Sequence, residues 1–196
     1  MIIMKKIALL IFITFALAAC KQLQELTNFA KCEFKIKSIE NINLAGINVQ
    51  QVKTLSDINV ADAARLMAAV AQNSFPLQFN LNVDVKNPNP SQASLNKLDW
   101  ILIIDDIELL TGTTQNRIQI APNGGISNYP LAFNFNLKDV LKQKTGQSLI
   151  NFGLNLAGVG NQPSRVTLKA KPYINVGNFQ IPYPGYITIK NEFTSK

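Results

Sequence analysis

From Phe75 to Val85 the chain alternates without a break. Phe75, Leu77, Phe79, Leu81, Val83 and Val85 hold one set of positions, and Gln78, Asn80, Asn82, Asp84 and Lys86 hold the other. Successive side chains of a strand point to opposite faces, so this stretch is a strand with one apolar face and one wet face. A helix would scatter the same residues around its axis. Asn87-Pro88-Asn89-Pro90 ends it, because each proline lacks a backbone donor and each asparagine accepts turn geometry. A second strand is expected from Leu98 to Ile104, a turn at Asp105-Asp106, and a return from Ile107 to Thr111. The other strands must pack against this meander.

The same alternation recurs along the chain. Phe34 and Ile36 alternate with Glu33, Lys35 and Lys37, and a further run from Asn41 to Val49 is interrupted by Ala45-Gly46, a bulge or tight bend. Strands are also expected over Arg117–Ala121 and Tyr129–Leu137, where Leu131, Phe133, Phe135 and Leu137 point inward. Arg165–Ala170 adds another, and Ile174–Ile189 supplies two more around Pro182-Tyr183-Pro184-Gly185. Two stretches change period. Val60, Ala63, Ala64, Leu66, Met67 and Val70 follow helical spacing, with Asn59 placed to cap the first turn and Asp62 three residues on. Lys138 to Leu156 reads as one or two short helices broken near Gly146. Seven or more short strands with turn punctuation predict a mainly β chain, an antiparallel β-sandwich of fibronectin III or immunoglobulin-like shape with two short helical insertions at its ends.

The first 20 residues carry an address. Lys5-Lys6 precede an apolar run from Ile7 to Leu17, too short to span a bilayer comfortably and suited to a secretory signal. Leu17-Ala18-Ala19-Cys20 then resembles the lipobox cleaved by type II signal peptidase, in which the cysteine thiol takes diacylglycerol and its amino group an acyl chain. The expected organisation is a signal peptide over 1–19, a lipidated tether over 20–31 whose Leu23, Leu26 and Phe29 allow a helical turn, and a β-sandwich over 32–196. Lys21 stands where an aspartate would, by resemblance to known sorting rules, hold such a protein in the inner membrane. The expected location is therefore the outer membrane, lipid-anchored and facing the periplasm. With Cys20 consumed by lipid, Cys32 has no intrachain partner and is expected to be a small buried hydrophobe.

Little in the sequence points to catalysis. The chain has no histidine, which removes the commonest general base, the commonest metal ligand and every Ser-His or Cys-His pair. Asp105, Asp106 and Glu108 are the densest carboxylates, but a hairpin turn accounts for the first two as well as calcium does. Gly146-Gln147-Ser148 is no nucleophile elbow, and no phosphate-binding or dinucleotide motif occurs. The net charge is +7, and without Lys5 and Lys6 the balance is 17 basic against 12 acidic residues. The basic residues stand singly and form no stripe of the kind nucleic acid requires. The expectation is a monomer that is not an enzyme, has no metal and no cofactor beyond the lipid on Cys20, and binds no nucleic acid.

Four motifs in order add a resemblance. They are Val85-Lys86-Asn87-Pro88-Asn89, Leu98-Asp99-Trp100-Ile101-Leu102 leading to Leu110-Thr111-Gly112, Ile120-Ala121-Pro122-Asn123-Gly124-Gly125, and Gly177 to Gly185. Together they resemble the late embryogenesis abundant type 2 domain, also called the water-stress and hypersensitive-response (WHy) domain. The match runs from about Cys32 to Phe193, outside the two helical stretches. The resemblance implies a fibronectin III-like sandwich, no cofactor, no catalytic residues and a protective role under desiccation or other stress. Asn87, Pro88 and Asn89 would then be a structural turn that sets register and exit direction.

Three functional expectations follow. The first is a stress-protective envelope lipoprotein acting by contact with membrane or client proteins. The second is a lipid- or peptide-binding module whose helices, Asn59–Asn73 and Lys138–Leu156, frame an apolar groove. The third is a structural subunit of an outer-membrane assembly.

Overall fold

The computed structural model describes residues 20–159 and 163–193. The alternating stretch forms β3 (Pro76–Asn87), and Leu77, Phe79, Leu81, Val83 and Val85 are all buried. It lies between β1 (Glu33–Leu44) and β8 (Gly125–Asn136) in a sheet of order β2-β1-β3-β8, with β2 at Ile47–Asn48. The run expected as separate pieces from Glu33 onward is one strand, because two bulges keep its apolar residues inward. Ile36, Ile39 and Ile42 are spaced by three, and the pairing with β3 shifts between Ile36 and Ser38 and again between Glu40 and Asn43. Each extra residue restores the inward phase that strict alternation would have lost. Ala45-Gly46 forms the tight turn between β1 and β2, with φ of 51° and 81°.

The second sheet has the order β10-β9-β5-β6, from Phe179–Pro182, Ser164–Val176, Lys97–Ile104 and Ile107–Thr114; β11 (Ile187–Phe193) also pairs with β9. Alternation was expected to stop at Ala170, but β9 runs on through Pro172. The proline carbonyl accepts from Tyr183 N, so its nitrogen faces the same side. That side falls between the β10 pairing, which ends at Tyr173, and the β11 pairing, which begins at Ala170. The missing donor therefore costs no ladder bond. Two short strands, β4 (Ala93–Leu95) and β7 (Ile118–Ile120), pair with each other beyond the Asn87 end of β3.

Mainly β, with two antiparallel sheets face to face and a few short helices, the chain has the sandwich architecture expected. The placement of the helices differs. α2 (Val60–Ala71), α3 (Leu137–Val140) and α4 (Gly146–Leu156) gather at one end, where β1 finishes and β3 begins. Asn59 caps α2 by accepting from Asp62 N at 2.8 Å, and Leu137 N donates to Phe75 O at 2.8 Å. α2 crosses α4 where a Cβ on Gly146 would sit 2.8 Å from Val70, so the absent side chain permits the contact. The two helices thus meet directly, so the groove expected between them is closed where they touch. The apolar space lies elsewhere.

At the opposite end sits a helix not expected as part of the domain, α1 over 20–30. Leu26 and Phe29 are buried, and so are the polar Glu25 and Asn28. The tether expected over 20–31 is instead a docked helix: Leu26 and Phe29, three residues apart, share a side that the sandwich covers, while Leu23 stays exposed. The buried core described lies between Leu26 and Ile189, so a chain beginning at residue 20 carries all of it.

Candidate functional site: an apolar cavity between the sheets

Facing sheets in a sandwich stand about 10 Å apart, and side chains from both must fill the gap. At the α2–α4 end they do. Phe79 pairs with Phe133 across strands, with ring centroids 5.1 Å apart, and Trp100 meets Phe133 edge-on at 5.1 Å from the other sheet. Trp100 can lie flat there because its cross-strand partner is Gly112, where any Cβ would come within 2.2 Å of the indole. Its Nε1 donates to Thr114 Oγ1 at 3.3 Å.

At the other end the facing residues, which include Val83, Val85 and Ala170, leave part of the gap unfilled. Val83 and Val85 look across at Leu98, Leu168 and Ala170, and a cavity of about 280 Å³ remains between them. At the 30 Å³ that one water takes in the liquid, close to the volume of a methylene, it would hold roughly nine such groups. Phe29 of α1 and Phe34 of β1 roof it, their rings edge-to-face at 5.3 Å. The opening lies where β8 and β6, the outer strands of their sheets, diverge; its exposed rim is Asn116, Arg117 and Pro130. Tyr129 borders it, and its hydroxyl donates to Gln119 O at 3.4 Å; burial raises its pKa above the ordinary value.

The expected site residues are placed as follows. Leu17, Ala18 and Ala19 lie outside the described residues. Cys20 is exposed on α1, nine residues before Phe29, which is about 14 Å along a helix. Asn87, Pro88 and Asn89 form a polar hub. The Asn87 amide, fully buried, donates to Ser91 O at 3.0 Å and to Ile120 O at 3.2 Å. Its Oδ1 accepts from Asn89 N at 3.1 Å and Asn89 Nδ2 at 2.7 Å. Asn89 Nδ2 also donates to Asn28 O at 3.0 Å, and Asn28 Nδ2 donates to Ser91 Oγ at 2.7 Å. Gly124 N donates to Asn87 O at 2.7 Å, fastening the Pro122–Gly125 turn to the same hub. The motif therefore does more than turn the chain. It clamps α1, the roof of the cavity, onto the sandwich.

Cys32 is buried beside this hub, its thiol donating to Asn28 O at 3.4 Å. Burial, and then the neighbouring Glu33 charge, push the thiol up to about 11. Asp105 and Asp106, with φ of 50° and 63°, make the two-residue β5–β6 turn, the left-handed pair such hairpins need. Asp105 Oδ1 accepts from Arg165 N, and Asp106 pairs with the Arg165 guanidinium at 2.8 Å. Among the described residues no three histidine, cysteine or carboxylate side chains converge to hold a metal.

No family model matches the sequence, and no curated protein sequence does either. Among the solved structures that match are three that follow. One is the solution structure of a protein described as a candidate late embryogenesis abundant (LEA) protein: 11% identity, 97% of this chain and 87% of that one covered, TM-score 0.38. The second is a solution structure of an Arabidopsis thaliana protein: 14% identity, 83% and 80% covered, TM-score 0.37. The third is the crystal structure of a protein from Archaeoglobus fulgidus: 13% identity, 62% and 86% covered, TM-score 0.36.

The cavity and Arg117 were missed in the sequence. Their trace is slight: the inward row of β3 passes from Phe75, Leu77, Phe79 and Leu81 to the smaller Val83 and Val85. Nothing local says that the facing positions on β9 shrink as well.

Proposed function

We propose that this chain is a non-enzymatic bacterial envelope lipoprotein, held to the outer membrane through Cys20, that shelters the apolar tail of a membrane-derived amphiphile between its sheets. One observation carries the reading: a cavity of about 280 Å³ walled by valine, leucine, isoleucine and aromatic side chains, with an opening to solvent. Apolar walls with a few polar groups at the opening are what a tail-binding site needs. The roof helix carries the proposed anchor, which would keep the opening close to a lipid source. Such a protein requires no cofactor, and it would work as a monomer.

The test is native mass spectrometry of residues 20–196 with Cys20→Ser, incubated with envelope lipid extract. A retained single-chain species, lost in a folded Ala170→Phe variant, is the expected result. A protein that stays bare in every extract, or a ligand that Ala170→Phe still retains, overturns the reading. Membrane retention of the full chain, and its loss in Cys20→Ser, tests the anchor separately.

A second reading, protection of client proteins under stress, is favoured by one surface. Val60 and Met67 of α2 are 89% and 65% exposed, with Val70 beside them. If this face shields clients, Met67→Glu will abolish suppression of a client's aggregation while leaving tail binding intact. Unchanged suppression sinks that reading.

A further inference from the structure

We infer that the cavity selects a single-chain carboxylate of about ten carbons, with Arg117 holding the head group at the opening. This rests on the tail-binding reading above and adds the head-group chemistry. Among the described residues Arg117 is the one charged residue lining the cavity, and it stands on the rim, its side chain 58% exposed. Among the described residues its guanidinium donates no hydrogen bond. Its one ion pair, to Glu25 Oε2 of α1, is 3.9 Å long, well beyond the roughly 2.7–2.9 Å of a charge-assisted hydrogen bond. Glu25 is itself buried and engaged by the Ser94 hydroxyl.

The guanidinium is thus steered to the opening by a distant carboxylate but keeps its donors free. A planar fork of that kind matches a carboxylate with two parallel hydrogen bonds. Thr114 and Asn116 are the remaining polar side chains of the 114–117 part of the lining. Behind the fork the walls are mainly apolar, and the Tyr129 hydroxyl is already engaged by Gln119 O, so the polar end must remain at the rim and the tail must enter. Charge favours a carboxylate over a phosphate monoester. One arginine beside one buried glutamate accommodates a single further negative charge better than two. A cationic head would face the guanidinium with like charge, and a neutral head would leave the fork unpaired.

Binding of decanoate, decanol, decyltrimethylammonium and decyl phosphate to residues 20–196 with Cys20→Ser tests this. Emission of Trp100, the single tryptophan, whose indole bonds the lining residue Thr114, reports occupancy. Decanoate is expected to bind about tenfold or more tighter than decanol, the effect of one charge-assisted pair. Arg117→Gln should remove that preference, and Arg117→Lys should restore part of it. Equal binding of decanoate and decanol by the unsubstituted chain overturns the proposal and leaves tail binding standing. So does tighter binding of decyl phosphate, or a decanoate preference that survives Arg117→Gln. If none of the four binds, the tail-binding reading falls and this inference falls with it.

Discussion

Replacing Asn87 by alanine isolates what holds the roof helix to the sandwich. The substitution removes two donated and two accepted hydrogen bonds at a fully buried position. Their costs differ. Ser91 and Asn89 are half-buried, so their stranded groups can turn to water, and each bond is worth about 0.5–1 kcal/mol there. The Ile120 carbonyl is inside the fold, and losing a partner there costs roughly 1–3 kcal/mol. Together the three half-buried bonds and the buried one come to about 2.5–6 kcal/mol. Urea unfolding followed by Trp100 emission measures it as a drop in midpoint at unchanged slope. Asn87→Asp is the control for volume: it keeps the acceptor but turns a carboxylate toward two carbonyl oxygens, so it should cost at least as much. A loss under about 1 kcal/mol for Asn87→Ala, or a harmless Asn87→Asp, would refute the hub as a clamp and leave it a turn.

Phe29→Ala is expected to cost about 3 kcal/mol, the usual loss for a buried phenylalanine; no change in the urea midpoint would return α1 to the status of a free tether. Gly112→Val should displace the Trp100 ring, shifting its emission to the red and lowering stability by about 1–3 kcal/mol, whereas an unshifted spectrum would contradict the flat packing of indole on glycine. The Cys32 thiol, held at about 11 against an ordinary 9.0, should react with iodoacetamide at pH 8 about 100-fold more slowly than in urea. Because the folded state keeps the proton that the unfolded state releases, this thiol's contribution to stability should fall as pH rises from about 9 to 11. A Cys32→Ala chain with the same stability loss over that window would assign the effect to other groups.

How much of this was legible in the sequence depended on the range of the signal. The inward row of β3, the Asn59 cap and the Asp105-Asp106 turn are written within a few residues of themselves, and the structure places them as read. Bulges are harder, because Ile36, Ile39 and Ile42 make sense only against the partner strand whose phase they keep. The continuation of β9 past Ala170 is hidden for the same reason: a proline ends a strand only if its missing donor has a partner to lose, and Pro172 falls in the gap between the β10 and β11 pairings, which other residues set.

The cavity stands at the far end of this scale. It exists because Val83 and Val85 face Ala170 and Leu168, pairs separated by more than 80 positions and joined only when both sheets are in place. The same holds for Arg117, an isolated basic residue in the sequence, which becomes a head-group candidate once Glu25 of α1 is brought 3.9 Å away and the walls behind it prove apolar. A site made of absent volume leaves no motif. What the chain does encode locally is the hub beside it, Asn87-Pro88-Asn89, which closes α1 over the space and so fixes where the opening can be. On this argument the strongest local signature marks the support of the site rather than the site. Loss of the clamp in Asn87→Ala should then weaken tail binding as well as stability, although Asn87 does not line the cavity.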